Sequence, residues 1–362
     1  MKAAVLRSVG EPLTIEDVDV DEPQRDEVLI RTAAVGVCHS DLHFIDGHYH
    51  CDLPVVPGHE SAGVVEQVGS DVTYVKPGDH VITCMSVFCG HCEVCTTGRP
   101  YLCQSPETRR SEGSRLHQHG QPIDQLYELS SYAEMMLVHE RAVVKIRPDM
   151  PLDRAALIGC AVMTGFGAVV NTAQVQVGSS VAVVGCGGIG LSALNGAAVT
   201  GAGQIIAIDV VPDKLETARM FGATHVIDAA GMTDAEVVAA VKDLTAGGVE
   251  YSFEAVGLKG TTEQCFDMLR AGGDATVIGM VPEGRKVEID ASELLMEKTL
   301  QGSNMGSNRF RLDMPRLVEF YLDGKLHLDE LISARVPLTG INDAFAEMKA
   351  GSVARNVITF DS

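Results

Sequence analysis

From Ser180 onward the chain alternates short apolar runs with amphipathic stretches. Strands are predicted at Val181–Val184, Ile205–Ile208, His225–Ile227, Tyr251–Phe253 and Ala275–Ile278. Helices are predicted from Ile189, from Asp213, near Asp234–Leu244 and near Thr262–Leu269. Buried strands separated by helices of about 10–15 residues predict an α/β fold, a doubly wound parallel sheet covered on both faces. Before this region the texture differs. Glu27–Val35, Ser61–Val68 and His80–Thr83 read as short strands, with Pro57-Gly58 and Pro77-Gly78 as turns, so the first 150 residues are mainly β. After about residue 302 come amphipathic helices near Asp313–Leu322 and Ile341–Lys349 and a closing strand, Asn356–Phe360. This last segment is expected to pack back on the first domain, giving a discontinuous domain of residues 1–161 with 303–362 around a second domain of residues 162–302. Gln104–Glu128 reads as a long irregular loop.

Length and charge narrow the function. At about 150 residues per domain, 362 residues make two to three domains, enough for a large core without disulfides. A formal charge of −21 repels phosphate backbones and anionic membranes, so no nucleic-acid or membrane partner is expected. The apolar stretches Ala155–Val170 and Val181–Val199 are broken by glycines and read as too short for a membrane span. The N-terminus, with one Lys and the short run Ala3–Leu6, does not read as a signal peptide. A cytoplasmic location is expected. In that setting ten cysteines, four of them within 15 residues, point to metal rather than disulfides.

Val181–Val184 runs into Gly185-Cys186-Gly187-Gly188-Ile189-Gly190, a G-x-G-x-x-G at a strand-to-helix turn. Gly185 permits the tight turn, Gly187 lets backbone approach a pyrophosphate, and Gly190 allows close helix–strand packing. The free N–H groups of the following helix then face phosphate charge. Alone, the motif is also compatible with a structural glycine turn. Asp209 ends the next strand, 19 residues after Gly190. A carboxylate there accepts from ribose hydroxyls and repels a 2′-phosphate, which favours NAD over NADP. The competing reading of Asp209 is a helix cap before Pro212.

Cys89-x2-Cys92-x2-Cys95-x7-Cys103 places four thiolates in one lobe, about residues 84–104. Four sulfurs suit a closed tetrahedral zinc that stabilises structure. A zinc ribbon gripping nucleic acid fits the net charge poorly. A second set, Cys38, His59 and Cys160, is dispersed, and spacing alone does not select it. Each of the three, taken singly, also reads as a buried structural residue.

Gly36-Val37-Cys38-His39-Ser40-Asp41, Pro57-Gly58-His59-Glu60, the four-cysteine lobe, Gly159-Cys160 with Thr164-Gly165, and the glycine loop with Asp209 together closely resemble the zinc-containing alcohol dehydrogenases. These belong to the medium-chain dehydrogenase/reductase family, and the resemblance extends over essentially the whole chain, nearest the dimeric, class III-like branch. It implies a GroES-like catalytic domain beside a Rossmann domain. It also implies two zinc ions per chain: one structural, one catalytic on Cys38, His59 and Cys160 with an open fourth position. Glu60 resembles the family's alternative carboxylate, and Asp41 the residue that orients the ligating histidine. Ser40 and His43 match its proton relay, in which the hydroxyl beside the zinc-bound oxygen connects through the nicotinamide ribose to an imidazole at the surface. His39 and Arg355 match pyrophosphate contacts, Thr164 a nicotinamide contact, and Lys214 a contact near the adenosine ribose.

Met85 and Tyr49 match walls of the substrate pocket and suggest a primary alcohol, aromatic or medium-chain. Two other activities fit the resemblance: thiol-adduct formaldehyde oxidation and a nicotinoprotein with tightly held NAD. The segment Gly47-His48-Tyr49-His50-Cys51-Asp52 departs from the acidic entrance of the formaldehyde enzymes. Arg109, Arg110 and Arg115 form a basic patch suited to a substrate carboxylate or simply to solvent. A non-catalytic NAD-binding zinc protein would not need Cys38, His59 and Cys160 together with Ser40 and His43. The region from Gly279 to about Gly302 resembles the family's subunit-pairing segment, so a homodimer is expected.

Overall fold

The computed structural model describes residues 1–108, 113–351 and 353–360. The chain divides into two compact units, Met1–Ala161 with Arg309–Ser362, and Val162–Asn308. This division falls later than the 302/303 boundary read from the pattern. The Met305–Ser307 turn stays with the second unit, where Asn171 Nδ2 donates to the Gly306 carbonyl at 3.1 Å.

In the first unit the Val- and Ile-rich strand Glu27–Gly36 lies at the centre of a seven-stranded sheet. Ser61–Val68 pairs along one edge, followed by His80–Thr83 and Val143–Lys145. Along the other edge Met135–His139 covers Glu27–Arg31, and Arg355–Thr359 covers Ala34–Gly36. Val28, Ile30, Val65, Val81, Met136 and Val143 fill the core on one side. A second cluster joins Val35, Val37, Leu42 and Tyr132 to Ile341, Phe345 and Ile358. Each fully buried Val, Leu or Ile of this kind contributes about 1.5–3 kcal/mol. The core thereby holds together segments more than 300 residues apart in sequence, such as Val35 and Ile358.

The second unit is a six-stranded, wholly parallel sheet. Its spatial order is His225–Asp228, Gln204–Asp209, Ser180–Val184, Val249–Glu254, Leu269–Val277, Thr299–Gly302. In chain order that is third, second, first, fourth, fifth, sixth, the doubly wound arrangement that opens a crevice beyond the first strand. The helix Gly188–Thr200 begins directly after the first strand and stops at Gly201, whose φ of 83° is left-handed.

Two segments differ from the pattern-based expectation. Gln104–Glu128 is not simply irregular: Leu116–Gln118 and Gln121–Gln125 pair as a hairpin across His119-Gly120. Both turn residues have positive φ (51° and 75°), as a two-residue hairpin turn requires. Leu116 and Ile123 are its buried apolar positions, too few to stand out among polar neighbours. Leu152–Thr172 forms one continuous run of 21 residues with mean hydropathy 1.6, long and apolar enough by composition to cross a membrane. However, 83% of its most apolar 18 residues are buried inside the protein, as in a core helix. Its glycines do not break it. A Cβ at Gly165 would overlap the Ile189 carbonyl, so glycine there lets the two helices approach.

Candidate metal and nucleotide sites

Three separate turns deliver one buried cluster in the first unit. The central strand ends at Gly36, and Cys38 precedes the helix His39–Ile45. His59 lies in the turn entering the strand Ser61–Val68. Cys160 sits in a widened π-helical turn, Ile158–Val162, a distortion frequent at functional sites. The two sulfurs and an imidazole nitrogen all lie within 4.8 Å of one another. His59 Nε2 is 3.2 Å from Cys160 Sγ, and no member is more than 3% exposed.

The surroundings orient these groups. Asp41 Oδ1 lies 3.0 Å from His59 Nδ1 and accepts the Gly58 N–H at 3.1 Å. This leaves Nε2 facing the sulfurs, with its ring held in one orientation. Asp41 Oδ2 accepts from the Tyr132 hydroxyl at 2.9 Å, and that oxygen in turn lies 3.4 Å from the Cys38 N–H. Tyr132, fully buried, was not singled out from sequence because nothing local links it to Asp41.

Charge follows from burial and contact. Cys38 is held well below the ordinary thiol range, first by the hydrogen bond from Cys160 and then by the Arg355 guanidinium, against desolvation. Cys160 is held high by the same bond and by burial. Burial opposes charge on His59, but Asp41 and the Cys38 thiolate outweigh it and raise its pKa. Glu60 is pushed up to about 8 by burial, despite Arg355 nearby. Its side chain covers Gly36, where a Cβ would overlap Oε1.

This donor set fits a zinc ion. Two soft sulfurs and one carboxylate-held imidazole are what zinc favours, and three protein ligands leave a fourth position. Both Glu60 carboxylate oxygens are buried without a hydrogen-bond partner, so an additional oxygen donor lies beside the cluster. Arg355 Nε is 3.6 Å from Glu60 Oε1, within ion-pair reach but beyond a hydrogen bond. Arg355 is 5% exposed and also donates to the Val37 carbonyl at 2.8 Å, which rules out a solvated surface charge.

The second cysteine set is local and less buried. Cys89, Cys92, Cys95 and Cys103 bring their sulfurs within 4.8 Å of one another. The Cys89–Cys95 and Cys92–Cys103 pairs are 3.9 and 3.8 Å apart, matching the ~3.8 Å edge of a tetrahedron with Zn–S near 2.3 Å. Backbone N–H groups point at the sulfurs, Cys92 N to Cys89 Sγ and Cys89 N to Cys103 Sγ, both 3.3 Å.

A row of rings leads outward from His59. Tyr127 meets His59 edge-on at 5.5 Å and Phe44 at 5.6 Å; Phe44 meets Tyr49 at 5.8 Å, and Tyr49 meets His43 at 5.9 Å. Tyr127 has a positive φ of 56°, a strained setting for a non-glycine residue of the kind that clusters at functional sites. It lies in the stretch read as a loop, so sequence gave no signal for it. Met85 and Tyr127 pack against the same core cluster, while Tyr49 packs with Tyr127 on the other. Ser40 Oγ is 3.7 Å from Cys38 Sγ. His39 is exposed, at the first position of its helix. Arg115 is not a solvated loop residue: it is 6% exposed and bonds Glu27 Oε1 at 3.0 Å. Arg109 and Arg110 lie outside the described residues.

In the second unit Gly185 turns with φ 94°, and Gly190 sits against the Gly185 carbonyl so closely that a Cβ would overlap it. Gly187 caps the helix that Gly188 and Ile189 begin. Asp209 accepts the Cys186 N–H on Oδ2 at 2.7 Å and the Val211 N–H on Oδ1 at 3.0 Å. The carboxylate is therefore fixed against the glycine loop while it also serves the turn before Pro212. Lys214 is half-buried on the helix Pro212–Met220. Thr164, 6% exposed, has its hydroxyl 3.5 Å from Met305 Sδ.

A nucleotide-binding sheet joined to a unit carrying two metal-ready cysteine sets is the build of a zinc dehydrogenase. Two family models match accordingly: the alcohol dehydrogenase GroES-like domain over residues 24–148 and zinc-binding dehydrogenase over residues 188–322. The chain is 38% identical to alcohol dehydrogenase class-3 of Drosophila melanogaster, over 99% of this chain and 97% of the relative. It is likewise 38% identical to S-(hydroxymethyl)glutathione dehydrogenase of Photobacterium damsela subsp. piscicida, over 99% of each chain. The crystal structure of benzyl alcohol dehydrogenase from Acinetobacter calcoaceticus superposes with a TM-score of 0.92 at 35% identity, covering 99% of each chain. The chain belongs to the zinc-containing alcohol dehydrogenases of the medium-chain dehydrogenase/reductase family, zinc- and NAD-dependent oxidoreductases acting on small molecules, and its likeness is to their class III branch.

Proposed function

We propose that this chain reversibly oxidises a primary alcohol, aromatic or medium-chain, to its aldehyde, using the cluster of Cys38, His59 and Cys160. The observation that carries this reading is the convergence of those three buried donors within 4.8 Å, with Asp41 fixing the imidazole. Zinc held there would supply Lewis acidity that lowers the pKa of an alcohol, and NAD would supply the hydride acceptor. The chain's own residues do the rest. Ser40, beside Cys38, accepts the hydroxyl proton while giving up its own, and His43 takes up a relayed proton on its way to solvent. Glu60 is an alternative carboxylate donor to the metal. Gly185, Gly187, Gly188, Ile189 and Gly190 cradle the pyrophosphate, while Asp209 holds the ribose and disfavours a 2′-phosphate. His39 and Arg355 are proposed pyrophosphate contacts, Thr164 a nicotinamide contact and Lys214 an adenosine-ribose contact. Cys89, Cys92, Cys95 and Cys103 hold a structural zinc.

Met85, Tyr49 and the row of rings through Tyr127 support an aromatic or long apolar substrate. A second reading, oxidation of a formaldehyde–thiol adduct, is favoured by the relative named for that substrate. Absorbance of NADH with benzyl alcohol, and separately with formaldehyde plus glutathione, tests both. Strong preference for secondary alcohols or polyols would reject the primary-alcohol reading. Omitting added NAD and supplying an artificial electron acceptor reports whether the cofactor exchanges.

A homodimer is also proposed. Leu294, Leu295 and Met296 are 47%, 86% and 54% exposed, just before the edge strand Thr299–Gly302. Apolar side chains beside an unpaired strand edge suit coverage by a second copy. Light scattering giving a monomer mass would reject this. A cytoplasmic location accords with ten cysteines that form no disulfide among the described residues.

A further inference from the structure

The helix His39–Ile45 ends at Asp46, and Gly47, with φ 77°, folds the chain back so that His48 N–H donates to the His43 carbonyl at 2.8 Å. This backbone contact brings the two imidazoles together, tilted against each other. Their Nδ1 atoms are 3.2 Å apart, with ring centroids at 5.4 Å and planes inclined at 48°. His43 is half-buried and His48 exposed. Such a contact needs one N–H and one lone pair, so two neutral rings take opposite tautomers at Nδ1. If His43 donates, its Nε2 is a bare acceptor.

We infer that His48 is the outer partner of His43, fixing which nitrogen of His43 is bare and carrying the relayed proton to solvent. The inference rests on the relay role proposed for His43. During alcohol oxidation a proton arrives at His43 Nε2, the Nδ1 proton of His43 moves to Nδ1 of His48, and His48 releases its Nε2 proton to water. One proton enters the pair and one leaves; no electron moves. Both rings finish in the opposite tautomer, and proton exchange with water restores the starting pair. Aldehyde reduction runs the same steps backward.

Other described groups also face His43. Tyr49 lies edge-on to its ring, and Asp46 on the same turn is tied to Lys349 at 2.7 Å. Burial first, and then charge on His48, keeps His43 below the ordinary histidine pKa, opposed by Cys38 and Asp46. Two imidazoles in contact cannot both be charged cheaply, so a proton entering one ring favours release of one from the other.

The test combines His48→Ala and His48→Gln, His43→Gln, and the double variant H43Q/H48A. In the wild type, imidazole nitrogen NMR should show His43 and His48 as opposite tautomers at Nδ1. In H48A, His43 should lose that single fixed tautomer. The hydride-transfer rate of H48A should fall on the order of tenfold at mildly acidic pH, short of the roughly 10²–10⁴-fold that a general acid or base supplies. KM should stay unchanged, and added imidazole should restore the rate. In the H43Q background, H48A should cause no further loss. The same Nδ1 tautomer on both rings, a silent H48A where H43Q is impaired, or losses that multiply in the double variant would each overturn the inference. A wild-type pH profile in H43Q itself would instead remove the relay role of His43.

Discussion

The first unit carries two sets of zinc-suited side chains that achieve similar proximity by opposite means. Cys89, Cys92, Cys95 and Cys103 come from 15 consecutive residues and are braced by backbone N–H groups, three of the four sulfur-bearing residues being only partly buried. Cys38, His59 and Cys160 come from three distant turns, at most 3% exposed, and are braced by side chains: Asp41, Tyr132, Glu60 and Arg355. The local set offers four sulfurs, which would close the coordination of a tetrahedral zinc; the dispersed set offers two sulfurs and an imidazole, which would leave a position free. A local bracket can hold a metal that stabilises structure. A reactive metal needs a framework imposed by the whole core.

Substitutions should therefore separate the two sets. Cys160→Ala should abolish turnover by more than about 10³-fold, since several kcal/mol of charge stabilisation is lost at tenfold per 1.36 kcal/mol, while the melting temperature changes little. Steady-state kinetics with a melting curve checks this. Asp41→Asn should weaken metal retention or activity by about 10–100-fold, because the amide no longer offers two charged acceptors to His59, Gly58 and Tyr132. Titration with a chelator reads the affinity.

His43→Gln should lower hydride transfer by roughly 10²-fold, mainly at low pH. The sign follows from its lowered pKa: His43 stays neutral and able to accept a proton below the usual histidine range, whereas glutamine provides no base there. At higher pH hydroxide takes over and the gap narrows, and added base should rescue the variant. Cys92→Ser should affect turnover least and stability most, with a melting temperature lower by about 2–4 °C for each kcal/mol lost. Equal damage to turnover from C92S and C160A would erase the distinction between the sets.

The same contrast explains what the sequence revealed. The four-cysteine lobe, the glycine loop and Asp209 are local patterns whose spacing encodes their geometry. Five of the six strands of the parallel sheet and the helices between them were legible for the same reason, whereas Thr299–Gly302 was not. The dispersed cluster was visible only through family resemblance, because His59 and Cys160 are 101 residues apart. Tyr127, Tyr132 and the pairing of Arg115 with Glu27 across 88 residues were invisible, since only the folded sheet brings them together. The helix Leu152–Thr172 was obscured by glycines that its packing requires.

Elemental analysis of the purified wild type and Cys160→Ala addresses the central claim most directly. Two zinc atoms per wild-type chain, falling to one in the variant as turnover vanishes, is the predicted result. A single zinc in the wild type that persists in C92S, or full turnover in C160A with one zinc bound in the cysteine lobe, would contradict it.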